Sequence, residues 1–486
     1  MARGDRRHRP SGTGPRRAWG RFAAWGPIVL VLCLLATAFA SFQYDVARRV
    51  GWVDEPTGPA QVAPPQGVQL PALTSPVPVA AVSPLAKVDP AKVRAALAKL
   101  LRDDDLGRHV LAAVGSLSGG TVFDTGVGAV TPASTMKLLT GLAALEALGP
   151  EHTFRTRVTS GARPRDLVLV GGGDPYLSLE PAEPGDYPPH ADLRTLARRT
   201  AAELASTGVT TVRLRFDDSL FRGPTASPSW PESYTTDAVV APITALWADQ
   251  GEDRDGYGFE ADPSLAAAQL FAKELVRAGV KVSGSPTRAT SDPGAVTIAS
   301  VEGAPLRQVV ERVLAISDNE GAELLAHHVG IAEGFGGSFS GGVKGVSAVL
   351  DRVGVPLRAR DVVHDGSGLS REDRLTAATL LGVLALGADP AHPELRTVVS
   401  GLPVAGFSGS LAYRFAKGDP AGRGRVRAKT GTLTGVHGLA GVATDLDGNV
   451  LTFALIADRV KVEDTLDARD TLDRMAAALG ACHCSA

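Results

Sequence analysis

The sequence predicts an α/β protein with an antiparallel sheet, interrupted by a mixed α/β insertion, and three observations carry that expectation. The leucine-rich segment from Leu138 to Leu148 has the spacing of a helix buried on most sides, stopped by Gly149-Pro150. Arg425–Leu433, Val436–Thr444 and Val450–Ala457 alternate or run apolar, with a turn at Asp447-Gly-Asn449, the pattern of adjacent antiparallel strands. Between these regions, Phe154–Val158, Leu167–Val170 and Val212–Phe216 read as strands, while Ala191–Ser206 and Pro263–Ala278 read as helices ending near Gly208 and Gly279. Residues 151–304 are therefore taken as an inserted mixed α/β module.

Taken in order, residues 1–24 hold seven Arg and one Asp, a charge of +6 that leaves −8 for the remainder of a chain whose net charge is −2. An uncharged apolar stretch follows, and 25–42 reads as a transmembrane anchor or a signal peptide, with Ala38-Phe-Ala40 resembling a cleavage site. Residues 43–88 form a Pro-rich linker, an extended spacer that would hold the rest off a membrane. The bulk of the chain is thus expected to be exported. Its negative remainder and 5% aromatic content offer neither an electrostatic nor a stacking surface for nucleic acid.

Asp89-Pro90 reads as N-cap and first turn of a helix bearing Val93, Leu97, Leu100 and Leu101. His109–Val114 and Thr121–Phe123 read as strands around a Ser118-Gly-Gly120 hairpin turn, and they lead into the leucine-rich helix, so that 89–150 makes the first part of the principal domain. The second part, 305–480, opens with helices Pro305–Leu314 and Asn319–Val329 broken at Ile316-Ser317-Asp318. It closes with a helix bearing Leu472, Met475, Ala476 and Leu479. The tail, 481–486, carries Cys482 and Cys484, expected as frayed thiols because a Cys-x-Cys ring is strained and one such pair with a single His is too few ligands for closed zinc.

The chemistry is carried by rare residues. Of 50 basic side chains only 10 are Lys, and only lysine can lose its proton near neutrality when buried. Lys137 follows Ser134 by three positions at the start of the leucine-rich helix, where a hydroxyl and an amine on one face can serve as nucleophile and base. A lone Ser-x-x-Lys is most often a capping serine with a solvated lysine. Here Lys429 opens a Lys-Thr-Gly, and Asn319, one of two asparagines, completes Ser317-Asp-Asn319. The ordered set Ser-x-x-Lys, Ser-x-Asn, Lys-Thr-Gly is a known combination of penicillin-interacting serine enzymes. Gly171-Gly-Gly-Asp-Pro175 lacks the residues of a phosphate loop and reads as a tight turn, and the turn at His364–Ser370 is not a G-x-S-x-G elbow. No cofactor is called for.

On Ser134-Thr-Met-Lys137, Ser317-Asp-Asn319 and Lys429-Thr-Gly-Thr432, with Gly171-Gly-Gly-Asp-Pro175 and Asp365-Gly-Ser-Gly-Leu-Ser370, the chain resembles the penicillin-recognising serine hydrolases. It is most similar to the D-alanyl-D-alanine carboxypeptidase/endopeptidase family, the class C low-molecular-mass penicillin-binding proteins, over about residues 105 to 460. The 183 positions from Ser134 to Ser317 match that family and exceed the spacing of a compact β-lactamase. The resemblance implies a penicillin-binding transpeptidase-like α/β/α sandwich and hydrolysis of terminal D-Ala-D-Ala bonds in peptidoglycan stem peptides, with cross-links as further substrates. β-Lactams would be covalent inhibitors. By resemblance, Ser134 is the nucleophile and Lys137 its base, its pKa lowered by burial and by the charge of Lys429. Ser317 relays the proton, Asn319 holds the stem amide and Lys137, Lys429 and Thr430 fix the terminal carboxylate, and Thr430, Gly431 and Thr432 are the substrate-binding residues of that strand. Backbone N–H groups of Ser134 and Thr432 form the oxyanion hole. The alternatives are a β-lactamase, marked by rapid deacylation, and a non-catalytic peptidoglycan-binding scaffold, which needs no nucleophile–base pair.

Overall fold

A computed structural model describes residues 87–486 except 118, 119 and 255. The basic segment, the apolar stretch at 25–42, the Pro-rich linker as far as 86 and most of the Ser118-Gly-Gly120 turn lie outside the described residues. Among those described, no helix is long and apolar enough to cross a membrane.

The first helix, α1 (Pro90–Leu97), is capped by Asp89, whose side chain accepts from the Ala91 N–H. It leads through short 3-10 turns to β1 (Val110–Ser116), β2 (Thr121–Asp124) and β3 (Ala129–Val130). The leucine-rich helix is α2 (Lys137–Leu148), and Gly149 ends it at a φ of 85°. The next stretch contains β4 (Arg155–Ser160), β5 (Asp166–Val170), α3 (Leu193–Ser206), β6 (Thr211–Asp217), α4 (Pro263–Arg277), β7 (Lys281–Val282), β8 (Thr287–Arg288) and β9 (Thr297–Glu302). Helices α5 (Leu306–Ile316), α6 (Asn319–Ala332) and α7 (Phe339–Arg352) follow, then β10 (Leu375–Thr376) and α8 (Ala377–Gly387). The chain closes with β11 (Val426–Leu433), β12 (Val436–Thr444), β13 (Val450–Ala457) and α9 (Thr465–Gly480).

Five strands form the principal sheet in the order β11-β12-β13-β1-β2, every neighbouring pair antiparallel. Successive strand residues face opposite sides, so β1 sends Leu111 and Ala113 into one core and Ala112 and Val114 into the other. The first core joins the sheet to α2, α5, α6, α7 and α8; the second joins it to α1 and α9. Helices thus cover both faces, giving an α/β/α sandwich. A second sheet, β7-β6-β5-β4-β9 with β8 paired to β6, packs its own core against α3 and α4. A smaller core containing Trp230, Ile243 and Trp247 ties the chain between β6 and α4 to Leu324 of α6 and Phe339 of α7.

Two sequence expectations are corrected. Ser134 does not lie on the α-helix itself: Ala133–Met136 is a 3-10 turn, and α2 begins at Lys137. The tail is not frayed. Cys482 and Cys484 form a disulfide with Cα atoms 5.2 Å apart, within the ordinary span for such a bond, and Cys484 is buried in the second core. The Asp89 N–H donates to the Cys484 carbonyl and the Ala486 N–H to that of Lys87, so the tail pairs with the start of the described chain. At Gly171-Gly-Gly-Asp-Pro175 the turn is present, with Gly173 at a φ of 65°, but close approach matters as much as turning. A Cβ on Gly172 would stand 2.1 Å from the Arg155 carbonyl oxygen.

Leu142 of α2 is fully buried where the sheet-facing core meets α5 and α6. Leu142→Ala is therefore expected to lower stability by about 2–5 kcal/mol, read as a reduced midpoint in chemical denaturation.

Candidate active site

In the 3-10 turn, side chains three residues apart eclipse one another, which an α-helical turn achieves only approximately. This brings Lys137 Nζ to 2.8 Å from Ser134 Oγ. Ala133, immediately before the nucleophile candidate, adopts a φ of 47°, a left-handed conformation uncommon outside glycine. The chain holds it there between two close surfaces. A Cβ on Gly431 of β11 would stand 2.8 Å from the Pro132 carbonyl oxygen, and one on Gly368 would stand 1.9 Å from that of Ala133. Glycine at both positions lets β11 and the 364–370 loop press against the turn carrying Ser134.

Lys137 is fully buried, and its amine meets three acceptors. Besides Ser134 Oγ these are Asn319 Oδ1 at 2.8 Å and the Ser367 carbonyl at 2.8 Å. Asn319 is oriented by its amide nitrogen, which donates to the Val239 carbonyl at 3.4 Å. Burial pushes the Lys137 amine down to about 8, although the carboxylates of Asp365, Glu323, Asp318 and Glu320 favour its charged form. As an ammonium it can donate to all three acceptors. Once neutral it has two N–H bonds and a lone pair, and neither the carbonyl nor the Asn319 oxygen can donate to that pair. Only the Ser134 hydroxyl can, so loss of the lysine proton turns that contact around.

The Ser317-Asp-Asn319 turn lies between α5 and α6. Ser317 closes α5 in the left-handed region at a φ of 67°, and Asp318 caps α6 by accepting from the Gly321 N–H. The outer oxygen of Asp318 accepts from Tyr176 Oη and Gln250 Nε2, each at 2.9 Å. Glu320 accepts from the Ala241 N–H. Residues from within 151–304 therefore fasten the turn.

Lys429 on β11 is also fully buried and donates to Ser317 Oγ at 2.7 Å and to the Thr430 carbonyl at 2.9 Å. Its pKa lies well below the ordinary lysine value, first through burial and then through the charge of Lys137. Burial is the first cause at both lysines, and Lys429 also faces the charge of Lys137. Thr430 donates to Ser410 Oγ at 3.2 Å, Gly431 adjoins the nucleophile turn, and Thr432 is exposed on the strand.

The structure brings Ser134, Lys137, Ser317, Asn319 and Lys429 into two hydrogen-bonded groups, Ser134–Lys137–Asn319 and Ser317–Lys429, which the Ser317-Asp318-Asn319 turn connects along the chain. Three contributors were missed by sequence reasoning. Ser367 acts through its carbonyl and has no side-chain signature. Glu323 and Asp365 are buried behind it, Glu323 accepting from the Gly366 and Ser367 N–H groups. A signal existed for Glu323, which follows Asn319 by four residues on one helix face. Among the described residues, no group of three or more His, Cys, Asp or Glu is arranged to hold a metal ion.

A titration of the lysine Cε carbons by NMR is expected to show one resonance with a midpoint near 8, ammonium below it and amine above, that disappears in Lys137→Arg. A resonance that remained after that substitution would assign the midpoint to another lysine.

The family model described as D-Ala-D-Ala carboxypeptidase 3 (S13) matches residues 93–254 and 259–479. A carboxypeptidase of Mycobacterium tuberculosis is 36% identical over 437 residues, covering 88% of this chain and 91% of the relative. A D-alanyl-D-alanine carboxypeptidase of an Actinomadura species is 30% identical, covering 74% of this chain and 81% of the relative. Among solved structures, penicillin-binding protein 4 of Haemophilus influenzae superposes with a TM-score of 0.64 at 20% identity, over 77% of this chain and 98% of that one.

Proposed function

This chain belongs to the D-Ala-D-Ala carboxypeptidase 3 (S13) family, and from that premise we propose how its residues divide the work. The enzyme is a serine-type D-alanyl-D-alanine carboxypeptidase, a penicillin-binding hydrolase of peptidoglycan that acts outside the cytoplasm. Ser134 attacks the carbonyl of the terminal D-Ala-D-Ala bond, and neutral Lys137 takes its proton as the C–O bond forms. The single observation that carries this assignment is the closed set of acceptors around Lys137 Nζ, which leaves only Ser134 to occupy the amine's lone pair.

Backbone N–H groups of Ser134 and Thr432 receive the developing oxyanion, a contribution of about 2.7–4 kcal/mol per donor in comparable sites. Ser317, bonded to Lys429, relays the proton: it gives its hydroxyl proton to the leaving D-alanine amine and is reprotonated at the expense of the Lys137 ammonium, which returns to the neutral amine, and water then hydrolyses the acyl-enzyme. Asn319 fixes Lys137 and faces the stem amide. Lys429, Thr430 and Gly431 bind the terminal carboxylate, whose negative charge favours the protonated form of Lys429 that burial alone opposes. The same strand holds the carboxylate of a β-lactam, whose acyl-enzyme on Ser134 persists. Peptide cross-links are a second substrate in this assignment.

For the organisation of the chain we propose a catalytic domain of two parts, 89–150 and 305–480, with 151–304 as the insertion and 481–486 as a docked tail. Residues 25–42 either anchor it to the membrane or are removed on export, with 43–88 as spacer.

Labelled penicillin is expected to form a stable adduct that Ser134→Ala abolishes, while a synthetic stem peptide releases D-alanine only with Ser134 intact. A label surviving Ser134→Ala at the same site excludes it as nucleophile. Lys137→Arg keeps the charge but cannot accept a proton, so acylation is expected to fall by about two orders of magnitude or more. Near-normal acylation in that variant would falsify the assignment of the base.

A further inference from the structure

We propose that Asp365 is a positioning residue for acyl transfer, acting on Lys137 through the peptide unit that joins Ser367 to Gly368. The inference rests on Lys137 being the base and extends the site beyond the three motifs.

The polar groups of the 365–370 loop are sorted by direction. Four of its N–H groups point at carboxylates: Gly366 and Ser367 donate to Glu323, while Gly368 donates to Asp365 Oδ1 at 2.6 Å and Ser370 to Oδ2 at 2.7 Å; the Leu369 N–H donates to Ser367 Oγ at 3.3 Å. Its carbonyls point at α2: that of Gly366 accepts from Thr140 Oγ1 at 2.6 Å and that of Ser367 from Lys137 Nζ at 2.8 Å. The Gly368 N–H and the Ser367 C=O belong to one planar peptide, in which they point in opposite directions. Asp365, peptide and Lys137 therefore form a single hydrogen-bonded file. A carboxylate at the N–H end of an amide draws electron density toward its oxygen, making that oxygen a stronger acceptor.

The file is held at its far end as well. Trp230 Nε1 donates to Asp365 Oδ2 at 2.7 Å, and the carboxylate is 2% exposed. Asp373, behind it, is pushed up to about 10, first by burial and then by the charge of Asp365. The titratable groups facing Lys137 are Asp365 from the loop, Asp318, Glu320 and Glu323 from α6 and its cap, and Lys429 from β11; burial pushes Glu323 up to about 8 and Glu320 up to about 7, and holds Lys429 well below the ordinary lysine value. Asp365 leads the carboxylates among them, and it alone reaches Lys137 through the peptide that also supplies an acceptor.

The test is the pH dependence of acylation of the full chain by a fluorescent penicillin, with thermal melting as the check on folding. In Asp365→Asn the ammonium loses its leading anionic support, so the acid limb moves to lower pH. The plateau rate falls on the order of 10-fold as the carbonyl loses its alignment. A purely structural role would slow acylation and leave the acid limb in place, and that result in a folded variant overturns the inference. Trp230→Phe keeps the ring and the carboxylate but removes a donor that offsets its charge, so its acid limb moves to higher pH. If Asp365→Asn does not fold, an unmoved or lowered limb in Trp230→Phe overturns the inference instead. A wild-type chain that is not acylated, or a Lys137→Arg variant that is, would strike at the base assignment itself and is thereby distinguishable.

Discussion

A lysine amine shut away from water has to find acceptors in the protein for every proton it carries. Removing an ammonium from solvent costs several kcal/mol unless hydrogen bonds and opposite charge replace what hydration supplied. Lys137 meets that requirement with one acceptor from its own turn, one from the start of α6 and one from the 364–370 loop. These lie far apart in sequence, so the sheet, the helices stacked on it and the crossings between them must all be in place first. The leucines of α2 serve the same end, since their burial fixes the helix whose first residue is Lys137.

The residues between β4 and β9 are more than an appendage. Tyr176 and Gln250 hold Asp318, the Val239 carbonyl orients Asn319, the Ala241 N–H holds Glu320, and Trp230 reaches Asp365. Each bond falls on a residue one step removed from the reacting groups. The long separation between the first two motifs thus has a mechanical content: the intervening chain folds back to brace the elements that present Asn319 and Ser367 to the base. Its small core around Trp230 and Trp247, shared with Leu324 and Phe339, is the apolar part of the same brace.

Much of this was legible in the sequence, for definite reasons. The motif residues stood out because Lys and Asn are scarce, so Lys137, Lys429 and Asn319 could be picked from few candidates. Strands β11, β12 and β13 were legible because their apolar runs and the Asp447-Gly-Asn449 turn leave little else for them to be. The 3-10 geometry at Ser134 was not, since the same residues would suit an α-helical start. Nor was α8, whose Ala377-Ala-Thr-Leu-Leu-Gly-Val-Leu-Ala-Leu-Gly387 is apolar nearly all round and lacks a period to read. Ser367 contributes a carbonyl, which every residue possesses and no letter reveals. The tail misled because strain in a short ring was weighed without the tertiary pairing with 87–89 that holds it.

The two glycines that flank the Ser134 turn limit how this protein can vary. With Gly431 against the Pro132 carbonyl and Gly368 against that of Ala133, any side chain at either place would force the strand or the loop away from Ser134. Variation in the backbone frame around Ser134 is thereby restricted, whereas an exposed position such as Thr432 can change its side chain without moving that frame.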